Sequence, residues 1–195
     1  MKMFNGLYAR LFLNIPEYIP TCLTEPAKKL DVVSAWRGLE LVIADIMARF
    51  HIPNRSCLEF GVEFGFSTVA LSNYFEKVKG VDLFTGDMHT THKGDHYAAT
   101  AESLSPYPNI ELFKADYRDW IAGDHDRYDL IHVDIVHTYQ DTFACGLWSA
   151  QHSKCTLFHD TESFTEVRKA VRDIAKRTGK RAFNYPKSYG LGIIV

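Results

Sequence analysis

Residues 57–68 read Cys57-Leu58-Glu59-Phe60-Gly61-Val62-Glu63-Phe64-Gly65-Phe66-Ser67-Thr68. The opening residues suit a short buried strand. A helix is expected from Ser67, with Ser67 or Thr68 near its N-cap. Two glycines stand between the two. A strand, a tight turn and a helix start in that order make a ligand cradle, because backbone N–H groups and the helix dipole converge on one point. Gly61 and Gly65 allow the chain to bend and approach a ligand where a Cβ would clash. The same spacing also suits an ordinary strand-to-helix turn.

The residues between the glycines bear on what the cradle holds. A dinucleotide-binding loop carries a further glycine in its middle, where the chain approaches a pyrophosphate. Here that position is Glu63, and Glu59 stands just before the turn. Two carboxylates repel a pyrophosphate but suit a ligand with hydroxyls and positive charge. S-adenosylmethionine has a sulfonium, an ammonium and a ribose diol, and no phosphate. The loop chemistry therefore favours it over NAD.

The chain has 195 residues, enough for one domain with a proper core, and its 46% hydrophobic and 24% charged residues are ordinary for a globular protein. A single domain is expected over residues 1–195, with a helical or lid region over 1–50 and the cofactor-binding sheet over 55–195. A net charge of −2 gives no sign of a nucleic-acid partner. No apolar run reaches the length of a membrane span. Met1 to Pro20 lacks the basic start, continuous apolar run and cleavage site of a signal peptide. Cys22, Cys57, Cys145 and Cys155 form no Cys-x-x-Cys pair, and a reducing, cytoplasmic setting is expected. The oligomeric state stays open, with a homo-oligomer allowed.

Outward from the opening stretch, the pattern alternates. Phe4, Leu7, Tyr8, Leu11 and Phe12 have helical spacing in a segment broken by Pro16, Pro20 and Pro26. Residues 1–30 suit a lid, a dimer contact or, preferred here, a strap packed on the domain. Trp36, Leu39, Val42, Ile43, Ile46, Met47 and Phe50 form one stripe of a helix expected over Ser34–Phe50. Further helices are expected over Ser67–Phe75, Tyr97–Leu104, Tyr139–Ala150 and Phe164–Arg177. Tyr139, Phe143, Leu147 and Trp148 would share one face of the third. Arg168, Lys169, Arg172, Lys176 and Arg177 would lie on the outer face of the last, which Gly179 ends. Strands are expected at Lys77–Asp82, Ile110–Lys114, Tyr128–Asp134 and Cys155–His159, with a closing antiparallel pair at Arg181–Tyr185 and Leu191–Val195. The loop Phe84–His96 carries His89, His92 and His96 and reads as an active-site lid rather than a zinc site. Alternating strands and helices imply an α/β fold, with a mostly parallel sheet covered on both faces.

Ligands of such sheets bind at the carboxyl ends of the strands, near the point where strand order reverses. Five acids fall at the expected strand ends: Glu59, Asp82, Asp116, Asp134 and Asp160. Any one of them also suits a helix cap. Asp82 lies about twenty residues past the first glycine, the spacing of an acid that bonds ribose hydroxyls. Asp116 can accept from an adenine amino group. Asp134 and Asp160 follow strands expected to be neighbours, and two converging carboxylates suit Mg²⁺, Mn²⁺ or Ca²⁺. His137 can take a proton from a substrate hydroxyl, or simply order its loop. His159 can join a ligand at Asp160 only if the strand has already ended, because successive strand residues face opposite ways. His132, inside a strand, reads as core.

Glu59-Phe60-Gly61-Val62-Glu63-Phe64-Gly65-Phe66-Ser67-Thr68 resembles the first motif of class I S-adenosylmethionine-dependent methyltransferases. The variant is similar to that of small-molecule and sugar O-methyltransferases of the macrolide-tailoring kind and of cephalosporin-hydroxylase-like proteins. Asp129-Leu130-Ile131-His132-Val133-Asp134-Ile135-Val136-His137-Thr138-Tyr139 and Phe158-His159-Asp160 resemble later motifs of that subgroup, so the likeness runs from Cys57 to Val195. It implies a Rossmann-like, seven-stranded sheet and methyl transfer to an oxygen of a small-molecule acceptor. It places Glu59, Gly61, Glu63, Gly65, Ser67, Thr68, Asp82, Asp116 and Asp134 at the S-adenosylmethionine site. It makes Asp134 and Asp160, with His159, the holders of Mg²⁺, and His137 the general base. Two features depart from the subgroup: Gln151-His152-Ser153-Lys154 stands where a Pro-Gly-Gly turn is usual, and His159 where some relatives carry a glutamate. Rival expectations are an NAD-dependent oxidoreductase on a similar fold and a non-catalytic S-adenosylmethionine-binding protein. A nucleic-acid methyltransferase is disfavoured, since the chain has no Asn/Asp-Pro-Pro-Tyr-like motif.

Overall fold

Leu58, Phe60, Ile131 and Val133 alternate along their strands with Cys57, Glu59, Leu130 and His132, so each strand sends side chains to both faces of the sheet. The computed structural model describes residues 15–86 and 93–195. Its strands are β1 (Ser56–Phe60), β2 (Lys77–Asp82), β3 (Ile110–Lys114), β4 (Tyr128–Val133), β5 (Ser153–His159), β6 (Ala182–Tyr185) and β7 (Leu191–Ile194). Its helices are α1 (Ile43–Arg49), α2 (Phe66–Ser72), α3 (Tyr97–Leu104), α4 (Tyr117–Gly123), α5 (Tyr139–His152) and α6 (Thr165–Thr178). The strands form one seven-stranded sheet in the order β3-β2-β1-β4-β5-β7-β6. β1 to β5 run parallel, and β7 runs antiparallel to both β5 and β6. This is the expected Rossmann-like architecture, with the closing pair arranged so that β7 inserts between β5 and β6. The order reverses at β1, which has β2 on one side and β4 on the other.

One core layer packs Trp36, Leu39, Ile43 and Ile46 with Leu71 against Cys57 and Leu130. The other packs α5 and α6, through Cys145, Val171 and Ile174, against Leu58, Ile131 and Phe158. Among the described residues, no helix is long and apolar enough to cross a membrane. Cys57, Cys145 and Cys155 are buried free thiols and Cys22 is exposed.

Several elements differ from the sequence reading. The helix expected over Ser34–Phe50 starts only at Ile43, after a 3-10 turn at Glu40–Val42. Gly38 has φ +101°, outside helical space, so the periodic stripe is carried by an irregular segment that still buries Trp36 and Leu39. α4 was not expected at all. On α5 the small residues Thr142, Cys145, Gly146, Ser149 and Ala150 are buried, while Tyr139, Phe143, Leu147 and Trp148 pack half-buried at the edge. Arg168 is not on an outer face; it is buried, with Nη1 on Glu162 Oε1 at 2.6 Å. Residues 15–18 behave as a strap: the Tyr18 N–H donates to Asn184 O at 2.7 Å, and Tyr18 is buried with its hydroxyl on Asp45. The amphipathic pattern Phe4–Phe12 and the loop histidines His89 and His92 lie outside the described residues.

Gly146 explains how α5 comes so close to the sheet. A Cβ there would meet Phe158 Cε1 at 2.4 Å and Ile174 Cδ1 at 2.7 Å, both on fully buried side chains. Alanine is the better helix former by about 1 kcal/mol, but overpacking a dense core costs about 1–3 kcal/mol or more. The clash with a fixed ring should win. Gly146→Ala is expected to lower the thermal midpoint by several degrees, measured by calorimetry, and Gly146→Val by more.

Candidate active site

The loop after β1 folds around a carboxylate of the protein itself. Gly61, Glu63 and Gly65 have φ of +88°, +52° and +87°, a left-handed residue at every second position from 61 to 65. This turns the backbone N–H groups of Val62 and Glu63 onto Asp82 Oδ2, each at 2.8 Å, while Asp82 Oδ1 accepts from the Phe84 N–H at 2.7 Å. N–H groups of this kind bind phosphate in dinucleotide folds. Here the slot is filled by Asp82, which physically supports the argument from Glu63 against a pyrophosphate. α2 begins after Gly65, which takes the N-cap place expected of Ser67 or Thr68 and has no side chain to cap with. Gly61 serves the strands as well as the loop: a Cβ would lie 1.7 Å from the carbonyl oxygen of Asp134.

Glu59 does not face the cradle. It is the fourth residue of β1, paired in register with His132 of β4, and both are fully buried in the layer below Trp36. Glu59 Oε1 lies 2.9 Å from His132 Nδ1, and Oε2 accepts from Thr68 Oγ1 at 2.5 Å. The expected contact of Glu59 and Thr68 with a donor is thereby replaced by their contact with each other. His132 is core, as the strand pattern indicated.

One cavity of about 450 Å³ opens at the carboxyl ends of the strands, within the range of about 300–1,000 Å³ common for small-molecule sites. At one end it is lined by Gly61, Glu63, Ser67, Asp82 and Asp116. Gly65 lies just outside it. Asp116 caps α4, accepting from the Arg118 N–H at 2.8 Å, and pairs with the Arg118 guanidinium at 3.1 Å. At the other end stand Asp134, His137, His159 and Asp160.

These four face one another across the gap between β4 and β5. His137 Nε2 is 3.0 Å from Asp160 Oδ2 and 3.4 Å from Asp134 Oδ1. His159 Nδ1 is 3.0 Å from Asp134 Oδ2 and 3.6 Å from Asp160 Oδ2. His159 is the last residue of β5, and Asp160 has φ +64°. That left-handed step lets two successive side chains share one centre, which a continuing strand would forbid. The His137 ring stacks on Phe164 at 4.3 Å and 10°. Burial works against a charge on His137, but hydrogen bonds to Asp134 and Asp160 and their negative charges outweigh it and push its pKa up to about 10. Burial likewise opposes the Asp134 charge, and the facing imidazoles hold that carboxyl well below the usual range. The His159 pKa is raised, the two carboxylates outweighing burial.

Ligand atoms of Asp134, His137 and Asp160 converge within 4.8 Å of one another, a group able to hold a metal ion. The sequence reading had His159 as third ligand and His137 as base. The structure instead puts His137 in the converging trio, and His159 Nε2 reaches 3.3 Å from Ser188 O. The sequence reading also missed cavity walls: residues 32–36, Tyr117, Arg118 and Phe164. Trp36 and Phe164 had been read only as helix-stripe residues, and nothing in the local pattern marked them as wall.

Comparison with known proteins agrees with this geometry. The sequence has no match among curated proteins. The fold is similar to an S-adenosylmethionine-bound amino pentose methyltransferase from Micromonospora echinaspora, with TM-score 0.61 and 11% identity over 83% of this chain and 91% of that one. It is also similar to a Bacillus cereus O-methyltransferase in complex with S-adenosylhomocysteine, with TM-score 0.55 and 16% identity over 100% of this chain and 90% of that one. A magnesium protoporphyrin IX methyltransferase from Synechocystis gives TM-score 0.52 and 14% identity over 80% and 78%. At these identities the likeness is one of fold. Residues 58–161, more than half of the chain, match the family described as a methyltransferase domain. The chain belongs to that methyltransferase family and is an S-adenosylmethionine-dependent enzyme of the class I fold.

Proposed function

We propose that the protein transfers the methyl group of S-adenosylmethionine to an oxygen of a small-molecule acceptor. The observation that carries this reading is the single cavity joining the loop around Asp82 to the centre of Asp134, His137 and Asp160. Glu63, Asp82 and Asp116 offer a polar, negative lining suited to a ribose diol, an amine and a sulfonium. Asp82 has three backbone partners already, which leaves room on its oxygens for a ribose hydroxyl.

In the transfer, the acceptor oxygen forms a bond to the methyl carbon as the carbon–sulfur bond breaks, and S-adenosylhomocysteine leaves. The sulfonium needs no activation, so alignment and exclusion of water supply much of the acceleration. A hydroxyl nucleophile must also lose its proton. His137 Nε2, held flat against Phe164 with both carboxylates beside it, is the acceptor of that proton, and Asp134 and Asp160 stabilise the imidazolium that results. Need for such a base favours oxygen over a readily methylated neutral amine.

The residues present fit a divalent cation through Asp134, His137 and Asp160, and an imidazole nitrogen in the set suits Mn²⁺ or Zn²⁺ better than the Mg²⁺ inferred from sequence. Bound there, a cation would occupy the His137 nitrogen that otherwise takes the proton, and would instead lower the pKa of an acceptor hydroxyl. The NAD-dependent alternative is opposed by Asp82 in the anion slot.

His137→Ala should lower turnover about 10²- to 10⁴-fold and leave S-adenosylhomocysteine affinity within about 2-fold in calorimetry. Turnover is followed as S-adenosylhomocysteine released with a panel of hydroxylated acceptors, and an unaffected rate removes His137 as base. In chelated buffer, turnover should rise with pH as His137 loses its proton, with a limb that climbs toward about 10. Asp160→Asn removes one of the charges that raise the histidine, so the limb should move to lower pH. Full activity in EDTA, with no metal retained on elemental analysis, would take the cation out of the mechanism.

A further inference from the structure

Two hydrogen-bonded chains reach the same short wall of the cavity from opposite sides. In the first, the Trp36 indole N–H donates to His132 Nε2 at 3.1 Å, and His132 Nδ1 meets Glu59 Oε1 at 2.9 Å. An indole nitrogen can only donate. Nε2 of His132 is therefore the accepting nitrogen, and Nδ1–H donates to Glu59: a neutral imidazole of one tautomer. Glu59 in turn accepts from Thr68, in the first turn of α2. Trp36, His132, Glu59 and Thr68 are all buried, so this chain ties the wall to the helix that follows the donor loop.

In the second chain, Ser188 Oγ donates to the Arg37 carbonyl at 2.8 Å. The Ser188 carbonyl accepts from His159 Nε2 at 3.3 Å, and His159 Nδ1 lies 3.0 Å from Asp134 Oδ2. This chain ties the same wall to the acid–base centre. Ser188, Tyr189 and Gly190 have φ of +48°, +66° and +95°. Three successive left-handed residues, two of them not glycine, are a costly turn that persists only where surroundings enforce it, typically at functional sites. The fit is close: a Cβ on Gly38 would lie 2.6 Å from Ser188 Oγ.

We propose that residues 32–38 are a positioning wall whose place is set jointly by His132 and Ser188, so that the donor loop and the Asp134–His137 centre stay in register. Residues 32–36 line the cavity. Trp36 and Val32 pack on the core and Arg37 lies over Phe66, while Val33 is 95% exposed, so the two hydrogen-bonded anchors set the direction in which this packed segment faces the cavity. In-line transfer is sensitive to such placement, since a shift of about 1 Å can cost about 10²-fold in rate. His132 and Ser188 are positioning residues; neither is assigned contact with the reacting atoms. The inference rests on reading the cavity as the methyl-transfer site.

Ser188→Gly separates strain from hydrogen bonding. Glycine accepts a φ of +48° more readily than serine, so a merely structural residue would give an equally or more stable protein with an unchanged wall. The expected result is an unlowered thermal midpoint, amide hydrogen exchange over residues 32–38 faster by about 10-fold or more, and a lower kcat with little change in KM for S-adenosylmethionine. Trp36→Phe removes the N–H together with one ring of a buried indole; beyond the general loss of stability that such a cavity brings, it should speed exchange in the same segment more than elsewhere. Exchange is measured with and without S-adenosylhomocysteine. Wild-type exchange over 32–38 in both folded variants overturns the inference. So does faster exchange spread through the whole protein with a fallen midpoint in Ser188→Gly. If the wild type methylates no acceptor, the functional reading fails on its own, and the exchange result stands apart from it.

Discussion

The ends of β1 and β4 approach each other more closely than any side chain would allow. The Asp134 N–H donates to Phe60 O at 2.8 Å, and the space beside the Asp134 carbonyl is available only because residue 61 has no Cβ. The Gly61 N–H donates in turn to Val81 O at 3.0 Å, which brings in the end of β2. Three strand ends thus meet at one residue. The loop around Asp82 starts there, the cluster of Asp134, His137 and Asp160 starts there, and the cavity between them inherits its dimensions from that junction. A larger residue at 61 would push apart the two halves that a methyl transfer must hold together.

Around this junction the same side-chain type is put to different uses by its surroundings. Glu59 is buried with a neutral imidazole and a hydroxyl and organises the layer beneath Trp36. Asp82 takes three backbone N–H groups and shapes the loop. Asp116 caps a helix and pairs with Arg118. Asp134 and Asp160 face imidazoles across a shared gap. Only the last two stand where protonatable partners and carboxylates converge at the cavity surface.

Much of the fold was legible because it rests on local rules. Strand and helix periodicities placed β2, β3 and α3 to the residue, and Gly179 at φ +70° ends α6 as a left-handed cap should. The misreadings have physical causes. The stripe from Trp36 to Phe50 is a true burial pattern, but Gly38 breaks the helix, so periodicity alone overextended it. Glu59 looked like a strand-end ligand because it precedes a glycine turn. Alternation along β1 sends it to the same face as Cys57, into the core. Arg168 looked solvated because charge usually is; its reach to half-buried Glu162 depends on a neighbouring loop that no helical wheel contains.

What the sequence by itself determined is the part that short-range geometry governs: alternating elements, a glycine-bounded turn without a phosphate-type glycine at 63, and acids at the ends of strands. Those features sufficed for a mostly parallel α/β sheet and favoured S-adenosylmethionine over NAD; the Rossmann-like, seven-stranded form came with the resemblance of the motifs. Tertiary structure alone decided which acids meet which histidines, that His137 as well as His159 turns a nitrogen toward Asp134 and Asp160, and that Trp36 and Arg37 are tied to His132 and Ser188. Those relations join residues as far apart as Arg37 and Ser188. They follow from strand order, register and single left-handed residues such as Asp160, which become visible only once the chain has closed on itself.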